Sequence, residues 1–266
     1  MQLLRWELKR NFKSFLLWTA FIVLIQWMYF AFFPSIAGDD GLFSSKLQLL
    51  PKAFLKLFGV DKIDFSDILH FFAMQGQIWV FLFATFYPAR LSSSMFVKEE
   101  NDKTIEFLFA RPIRRESYVF QKFTATTVYL LLFDLTITVA LLGMFNKYKV
   151  KPFDISLFWK LVLSFWAVHI FMSAVGIIFS VVARKRSTAD TGTFFALGFF
   201  YAISLIARVY EKYRYLQVLT PFGVFDPAEL IKGADFNTGG FLIVVLIYAL
   251  SLGFSIVYYT KKDVYI

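Results

Sequence analysis

The sequence predicts an all-α polytopic membrane protein with six transmembrane helices, and three features of its composition support this fold class. Apolar residues make up 58% of the 266 residues, more than the roughly half that is typical of soluble domains, and the mean hydropathy is +0.61. These apolar residues cluster into stretches of about 20, the length needed to cross a hydrocarbon core of about 30 Å. Basic residues gather at the ends of the stretches, where they act as orientation signals.

The predicted spans form a single transmembrane domain over residues 1–266, with both termini on the cytoplasmic side. We expect the first span to stay in the mature protein, because it is too long for a signal-peptide core. It ends at Pro34, since proline cannot donate the next helical hydrogen bond. The six spans lie near residues 14–33, 68–88, 118–144, 155–183, 191–207 and 241–260.

Two segments outside the spans repeat apolar residues at helical spacing. Residues 1–13 carry Leu4, Leu8 and Phe12 on one stripe, which favours an interfacial N-terminal helix lying among the headgroups. A frayed basic terminus that only sets topology is the alternative. The loop 35–67 shows similar spacing, which predicts either a second interfacial helix on the opposite face of the membrane or a helix packed on the spans.

The longest charged run, residues 98–122, lies between the second and third spans. Asn101 or Asp102 can cap a short helix there by accepting a bond from a free N–H of its first turn. This helix ends at Arg111, because a residue that precedes proline is disfavoured in the α region. We expect a short helix at the membrane surface with one polar and one apolar face, and a solvated turn is the alternative.

The order and spacing of residues in this run also resemble the motif of a known protein family. Its matching residues are Glu99, Glu100, Thr104, Glu106, Phe107, Leu108, Arg111, Pro112 and Lys122. Together they resemble the motif of ABC-2 type transporter permeases, which reads Glu, Gly-Thr-hydrophobic-Glu-x-Leu-Leu, x-Pro-hydrophobic-Ser-Arg and Gly-Lys. The chain departs from this motif at Lys103, where glycine is usual, and at Arg114, where a capping serine is usual.

The resemblance implies an ABC-2 type exporter fold in which residues 98–112 form a cytoplasmic coupling helix region. The chain would be the permease subunit of an ATP-driven exporter in the plasma membrane of a bacterium, paired with a second copy or a close paralogue. Two separate ATPase subunits would bind ATP and Mg, and the substrate would be a hydrophobic or amphipathic peptide, lipid or drug. The sodium-export branch of the family is an alternative. The resemblance assigns ATPase coupling to Glu99, Glu100, Thr104, Glu106, Phe107, Leu108, Arg111 and Pro112.

The sequence lacks the constellations that enzymes of several classes need. It contains no Gly-x-x-x-x-Gly-Lys-Ser/Thr loop, no His-Glu-x-x-His and no Gly-x-Ser-x-Gly. It has no cysteine and two histidines, so we expect no metal site and no cofactor in this chain. The net charge of +9 is interpreted as an orientation signal at span ends rather than as a nucleic-acid footprint. An enzyme acting on membrane lipid is therefore disfavoured.

Four polar residues lie within the predicted spans: Asp134, His169, Gln75 and Gln77. An intramembrane carboxylate is a functional candidate by default, and a secondary carrier could use Asp134 to bind a proton or a cation. The other three residues are typical of interhelical hydrogen bonding. Counting residues along the third and fourth spans places Asp134 and His169 at similar depth, so we hypothesise that they pair.

Residues 220–229 precede the sixth span and hold two prolines, Pro221 and Pro227. The segment resembles the short re-entrant Pro-Phe helices near the external gate of ABC-2 permeases. A plain surface loop is the alternative, because the residues themselves indicate only a proline-bounded turn with apolar side chains.

The distribution of basic residues predicts the orientation of the chain. Sixteen of the 28 Lys and Arg residues lie on the side of the termini, within a shorter total length of chain, so this side should be cytoplasmic. Because the chain has no cysteine, single cysteines report topology directly. A Lys52→Cys variant should react with an impermeant thiol reagent in intact cells, and Lys185→Cys only after permeabilisation. The reverse pattern would contradict this orientation, and the cysteine-free parent is the control.

Overall fold

The computed structural model describes residues 2–37, 64, 66–109 and 113–261, and all of the regular structure among them is helical. Five helices are long and apolar enough to cross a membrane, and a bent pair over residues 68–95 makes a sixth candidate span. The predicted all-α fold is thus confirmed. The elements are α1 Gln2–Ala37, α2 Ile68–Ile78, a π-helical turn Trp79–Phe83, α3 Phe86–Met95, α4 Lys98–Asn101, α5 Ile105–Phe109, α6 Arg115–Tyr148, α7 Ile155–Val182, α8 Arg186–Val209, a 3₁₀ segment Glu211–Leu219, α9 Pro221–Val224, α10 Pro227–Ile231 and α11 Thr238–Lys261.

The first span does not end where the sequence predicts. The expected interfacial stretch and the span form one helix of 36 residues, and Pro34 lies inside it. The predicted stop at Pro34 is therefore wrong. Only three residues follow this proline before the helix ends at Ala37, so the bond that it removes belongs to the last helical turn. The helix predicted within the loop 35–67 falls mostly on residues 38–63, which lie outside the described residues.

The second span is not a continuous helix. Its two parts, Ile68–Met74 and Trp79–Met95, meet at an angle of 52°. The second part continues past the predicted end at residue 88 and leads into the charged run. Helices α6 and α8 also extend several residues beyond their predicted spans, because a helix does not need to stop where the hydrocarbon ends.

Helix α7 lies at the centre of the bundle. It packs against α3, α8 and α11, and it also touches α6 and the π-helical turn. In its most apolar 18-residue window 67% of the residues are buried, against 22% for α8 and for α11. Helix α1 packs along α6 at the edge of the bundle. Any movement of the second span must therefore change its packing on α7.

Helices α3 and α7 approach each other closely at Gly176. A Cβ atom at this position would lie 2.1 Å from the Ser92 hydroxyl oxygen and 2.9 Å from the Ala89 carbonyl oxygen. One turn further along α7, the hydroxyl of Ser180 accepts hydrogen bonds from two backbone N–H groups, those of Phe96 and Val97, at 2.9 and 3.2 Å. The end of the second span is thus held against the central helix.

The proline-bounded segment before the last span is built into the bundle. Thr220 and Asp226 cap the two short helices α9 and α10, and each helix begins with a proline. Phe222 and Phe225 are buried, and α10 packs on α2. The Asp226 carboxylate forms an ion pair with Arg208 at 2.9 Å, and burial raises the pKa of this carboxyl above its ordinary value. The segment is therefore not a plain surface loop.

The close approach at Gly176 leads to a stability prediction. Gly176→Ala should destabilise the protein by about 1–3 kcal/mol, because the added methyl group would displace Ser92 or the α3 backbone. Gly198→Ala is the matched control, since nothing lies within 4 Å of a Cβ at that position in α8. Thermal unfolding in detergent measures both variants. Equal unfolding temperatures would contradict the close contact.

Candidate functional site

The charged run connects the second span to the third span through two short helices. After α4 the backbone turns at Lys103, which has a φ of 53° and is the one non-glycine residue with positive φ among those described. This left-handed conformation is the one that glycine adopts readily. Lys103 therefore adopts the left-handed backbone conformation that suits the glycine of the family motif, although it is a lysine.

The predicted amphipathic helix is present as α5. Its Ile105 side chain is buried, Leu108 and Phe109 are partly buried against the core, and Glu106 is exposed. The predicted cap is wrong, because the Asn101 side chain instead accepts a bond from the Arg186 N–H at 3.2 Å. The carboxylate of Asp102 lies 3.6 Å from the Arg10 guanidinium. These two residues join the charged run to α8 and α1 rather than starting α5.

A cluster of four buried charges lies directly beneath the two short helices, and we call it the charge cluster. It consists of Glu7 from α1, Lys98 and Glu99 from α4, and Lys122 from α6. The Lys122 ammonium lies 3.0 Å from Glu7 Oε1 and 2.6 Å from Glu99 Oε2, and Lys98 bonds Glu7 Oε2. The side chains of Glu7 and Lys122 are fully buried, and those of Lys98 and Glu99 are each 7% exposed. Two carboxylates thus balance two ammonium groups inside the protein.

Hydroxyl and backbone groups complete the surroundings of the charge cluster. Lys122 Nζ also donates to the carbonyl of Met95 at 2.5 Å, and the Tyr118 hydroxyl donates to Glu99 Oε2 at 3.0 Å. Burial, reinforced by the neighbouring Lys122, lowers the pKa of Lys98 to about 8, while the two carboxylates oppose this shift. The cluster therefore ties α1, the end of α3, α4 and α6 together.

Two acidic residues to which the resemblance assigns ATPase coupling have partners within the chain. Glu99 belongs to the charge cluster, and Glu100 accepts a hydrogen bond from the Tyr259 hydroxyl of α11 at 3.2 Å. Both carboxylates turn inward because basic and hydroxyl groups lie there to bond them. Of the predicted coupling residues, Thr104 and Glu106 remain exposed. The side chain of Phe107 and all of Arg111 and Pro112 lie outside the described part of the chain.

Two members of the charge cluster, Glu7 and Lys98, were not predicted as site residues. A signal for Glu7 exists in the sequence, because it is the sole acidic residue among the first thirteen residues, which include four basic ones. Charged side chains are rarely buried unless they are paired. An isolated acidic residue on a helix that packs against the bundle can therefore neutralise a buried basic residue. Lys122 was matched to the family motif, but its partners across the fold could not be inferred from the motif.

A groove of about 530 Å³ opens beside the charge cluster, between the start of α1 and the turn that leads into α5. Its walls include the Trp6 side chain, which is 47% exposed, and the partly buried Leu108. Its lining also includes the polar side chains Arg10, Asp102 and Thr104. The groove thus presents both apolar and polar side chains, on the same side of the bundle as α5.

The predicted intramembrane pair is present. His169 Nδ1 lies 2.6 Å from Asp134 Oδ1, and both side chains are fully buried. The other ring nitrogen of His169 lies 3.1 Å from the Val80 carbonyl oxygen. The hypothesis that Asp134 and His169 pair is therefore confirmed, while the side chains of Gln75 and Gln77 lie outside those that the structure describes.

The charge cluster leads to a second stability prediction. Glu7→Gln keeps the shape of the side chain but leaves Lys98 and Lys122 with one carboxylate between them, so we expect a loss of about 3–5 kcal/mol. Asp102→Asn is the matched control, because its partly exposed pair with Arg10 should contribute about 0–1 kcal/mol. Thermal unfolding in detergent checks both values. Similar losses in the two variants would contradict the role of the buried cluster.

Comparison with known proteins identifies the family. No curated protein sequence shows significant similarity to the chain. The model of the family described as ABC-2 family transporter protein matches residues 1–264, nearly the whole sequence. Members of this family are the transmembrane component of a transporter and not its ATPase. This match agrees with the several apolar helices of a multi-pass plasma membrane protein. The chain belongs to the ABC-2 family of transporter proteins.

Proposed function

We propose that this chain is the permease subunit of an ATP-driven exporter and that a separate ABC ATPase docks on α5 and the adjoining groove. The observation that carries the proposal is that α5, which exposes Glu106, directly follows α4, which the charge cluster ties to the spans. ATP and Mg would be bound by the ATPase, since this chain has no phosphate-binding loop.

The surface around α5 is suited to a protein partner. The groove between α1 and α5 is lined by the apolar side chains Leu3, Trp6 and Leu108 and by polar side chains that include Arg10 and Asp102. Interfaces of this kind commonly bury aromatic anchors at their centre and keep charged residues at the edge. Trp6 beside Arg10 fits that pattern, because the guanidinium lies 4.7 Å from the centre of the indole ring. Glu106 on α5 would then contact the ATPase directly.

The contacts beneath α5 provide a route for movement. The charge cluster connects α4 to α1 and α6, Ser180 connects the end of α3 to α7, and the Tyr259 hydroxyl connects Glu100 to α11. Closure of the ATPases on nucleotide would displace α5 and, through these contacts, four long helices. Alternating access requires two states whose balance the nucleotide shifts, and these contacts give the nucleotide a means of doing so.

The family and the composition support the remaining parts of the proposal. Two permease copies, identical or closely related, would enclose the path of a hydrophobic or amphipathic peptide, lipid or drug. Sodium is the alternative cargo within the same family. A carrier that uses Asp134 as its ion site is less well supported, because Asp134 already has a partner in His169.

The test uses the chain together with an ABC ATPase that copurifies with it, reconstituted in nanodiscs. Glu106→Lys and Phe107→Ala should each lower the ATP turnover of the complex about fivefold or more. A fivefold change is at the lower end of the coupling factors that are typical between two sites of a protein. The unfolding temperature of Glu106→Lys should not change, because Glu106 is exposed.

The matched control for charge reversal is Glu211→Lys, an exposed position at the other end of the bundle. It should leave both ATP turnover and copurification of the ATPase unchanged. Equal turnover in Glu106→Lys, Phe107→Ala and the wild type would argue decisively against docking on α5.

A further inference from the structure

The bend in the second span lies between Met74 and Trp79, directly before the π-helical turn, and both α1 and α7 contact that turn. Within the π-helical turn the Ala84 N–H donates to the Trp79 carbonyl, at 3.0 Å, instead of to the Val80 carbonyl as an α-helix would require. The ring of His169 supplies a hydrogen bond to that Val80 carbonyl. Pro88 lies one turn beyond the π-helical turn and lacks an N–H, so it removes a bond to Ala84 but not to Val80.

The chemistry of the contacts fixes the state of the imidazole. A carbonyl only accepts hydrogen bonds, so His169 Nε2 must carry a hydrogen and donate it to Val80. His169 Nδ1 lies 2.6 Å from Asp134 Oδ1, so one further hydrogen lies between these two atoms. Asp134 therefore orients the ring such that its opposite edge points at the π-helical turn. A partner of this kind commonly selects which nitrogen of a histidine is protonated.

Helix α7 contacts the second span at two levels, both on the C-terminal side of the bend. Farther from the bend, Gly176 and Ser180 fix α3 and the residues after it. Nearer the bend, His169 lies seven residues before Gly176 on α7, about 10 Å away along the same face. The His169 bond thus fixes α7 to the π-helical turn that directly follows the bend.

We propose that Asp134 and His169 are positioning residues that hold the second span in its bent form, so that α2 keeps a defined direction relative to α3. The second span leads through α3 into the charged run, so the bend lies between the docking surface and α2. The proposal concerns this chain alone and does not depend on where an ATPase binds.

The experiment measures the bend by double electron–electron resonance on the full chain in nanodiscs. Two pairs of spin-labelled cysteines share one reference site, Phe195 on α8, which is 72% exposed. The test pair adds Met74 on α2, and the control pair adds the exposed Arg90 on α3. The absence of native cysteine makes each label specific. Met74 lies about 9 Å along the helix from Val80, so a 20° change in helix direction about Val80 would move Met74 by about 3 Å.

The main variant combines Asp134→Leu with His169→Phe, which removes both polar groups together and leaves neither buried without a partner. We expect the Met74–Phe195 distance to shift or broaden by about 3 Å while the Arg90–Phe195 distance stays unchanged. Asp134→Asn should keep the wild-type distances, because an amide still bonds the imidazole and preserves its orientation.

Three results would overturn the proposal. They are an unchanged Met74–Phe195 distance in the folded double variant, an equal change in both pairs, and a change in Asp134→Asn as large as in the double variant. The measurement needs no ATPase, so a failure of the docking proposal would leave its outcome intact.

Discussion

The neutralisation of Lys122 inside the bundle is the interaction on which the architecture of the charged run depends. Removing an ammonium group from water carries a penalty of several kcal/mol unless opposite charges and hydrogen bonds surround it. Lys122 obtains them from Glu7, Glu99 and the carbonyl of Met95, which lie on three separate elements. The start of α1, the end of α3 and the short helix α4 must therefore converge on one point of α6. The groove beside α5 adjoins this convergence, since Glu99 lines it.

The central helix α7 imposes a second constraint. The second span runs beside it, and polar or small residues of α7 meet the span at His169, Gly176 and Ser180. These residues recur on one face of α7, at intervals of seven and four residues. A stripe of this kind permits close backbone approach and hydrogen bonding between helices in a membrane, where apolar burial gives no net attraction between them. The middle of α7 thus bonds the π-helical turn through His169, and its C-terminal end bonds the entrance to the charged run through Ser180.

The apolar spans and one long-range contact could be predicted from the sequence alone. Apolar stretches define a span by composition alone, and counting helical rise along two spans placed Asp134 beside His169. The π-helical turn at Trp79–Phe83 could not be predicted, because it contains neither proline nor glycine. The charge cluster was also missed, since Glu7 and Lys122 are far apart in sequence and an acidic run at a membrane surface looks solvated. Which acids turn inward depends on the tertiary position of Lys122, and local pattern does not contain that information.

Glu99 links the charge cluster to the turn that begins α5, and this link accounts for the lysine at a glycine position. A left-handed conformation costs a non-glycine residue about 1–2 kcal/mol and persists only where surrounding contacts determine it. Here the Glu99 carbonyl accepts the Thr104 N–H at 2.9 Å, and the Glu99 carboxylate bonds Lys122. Lys103 therefore sits in a turn whose two ends are already fixed. A displacement of α5 would reach Lys122 through Glu99, and also through Tyr118, on which Phe109 of α5 packs. The turn and the cluster should therefore move as one unit.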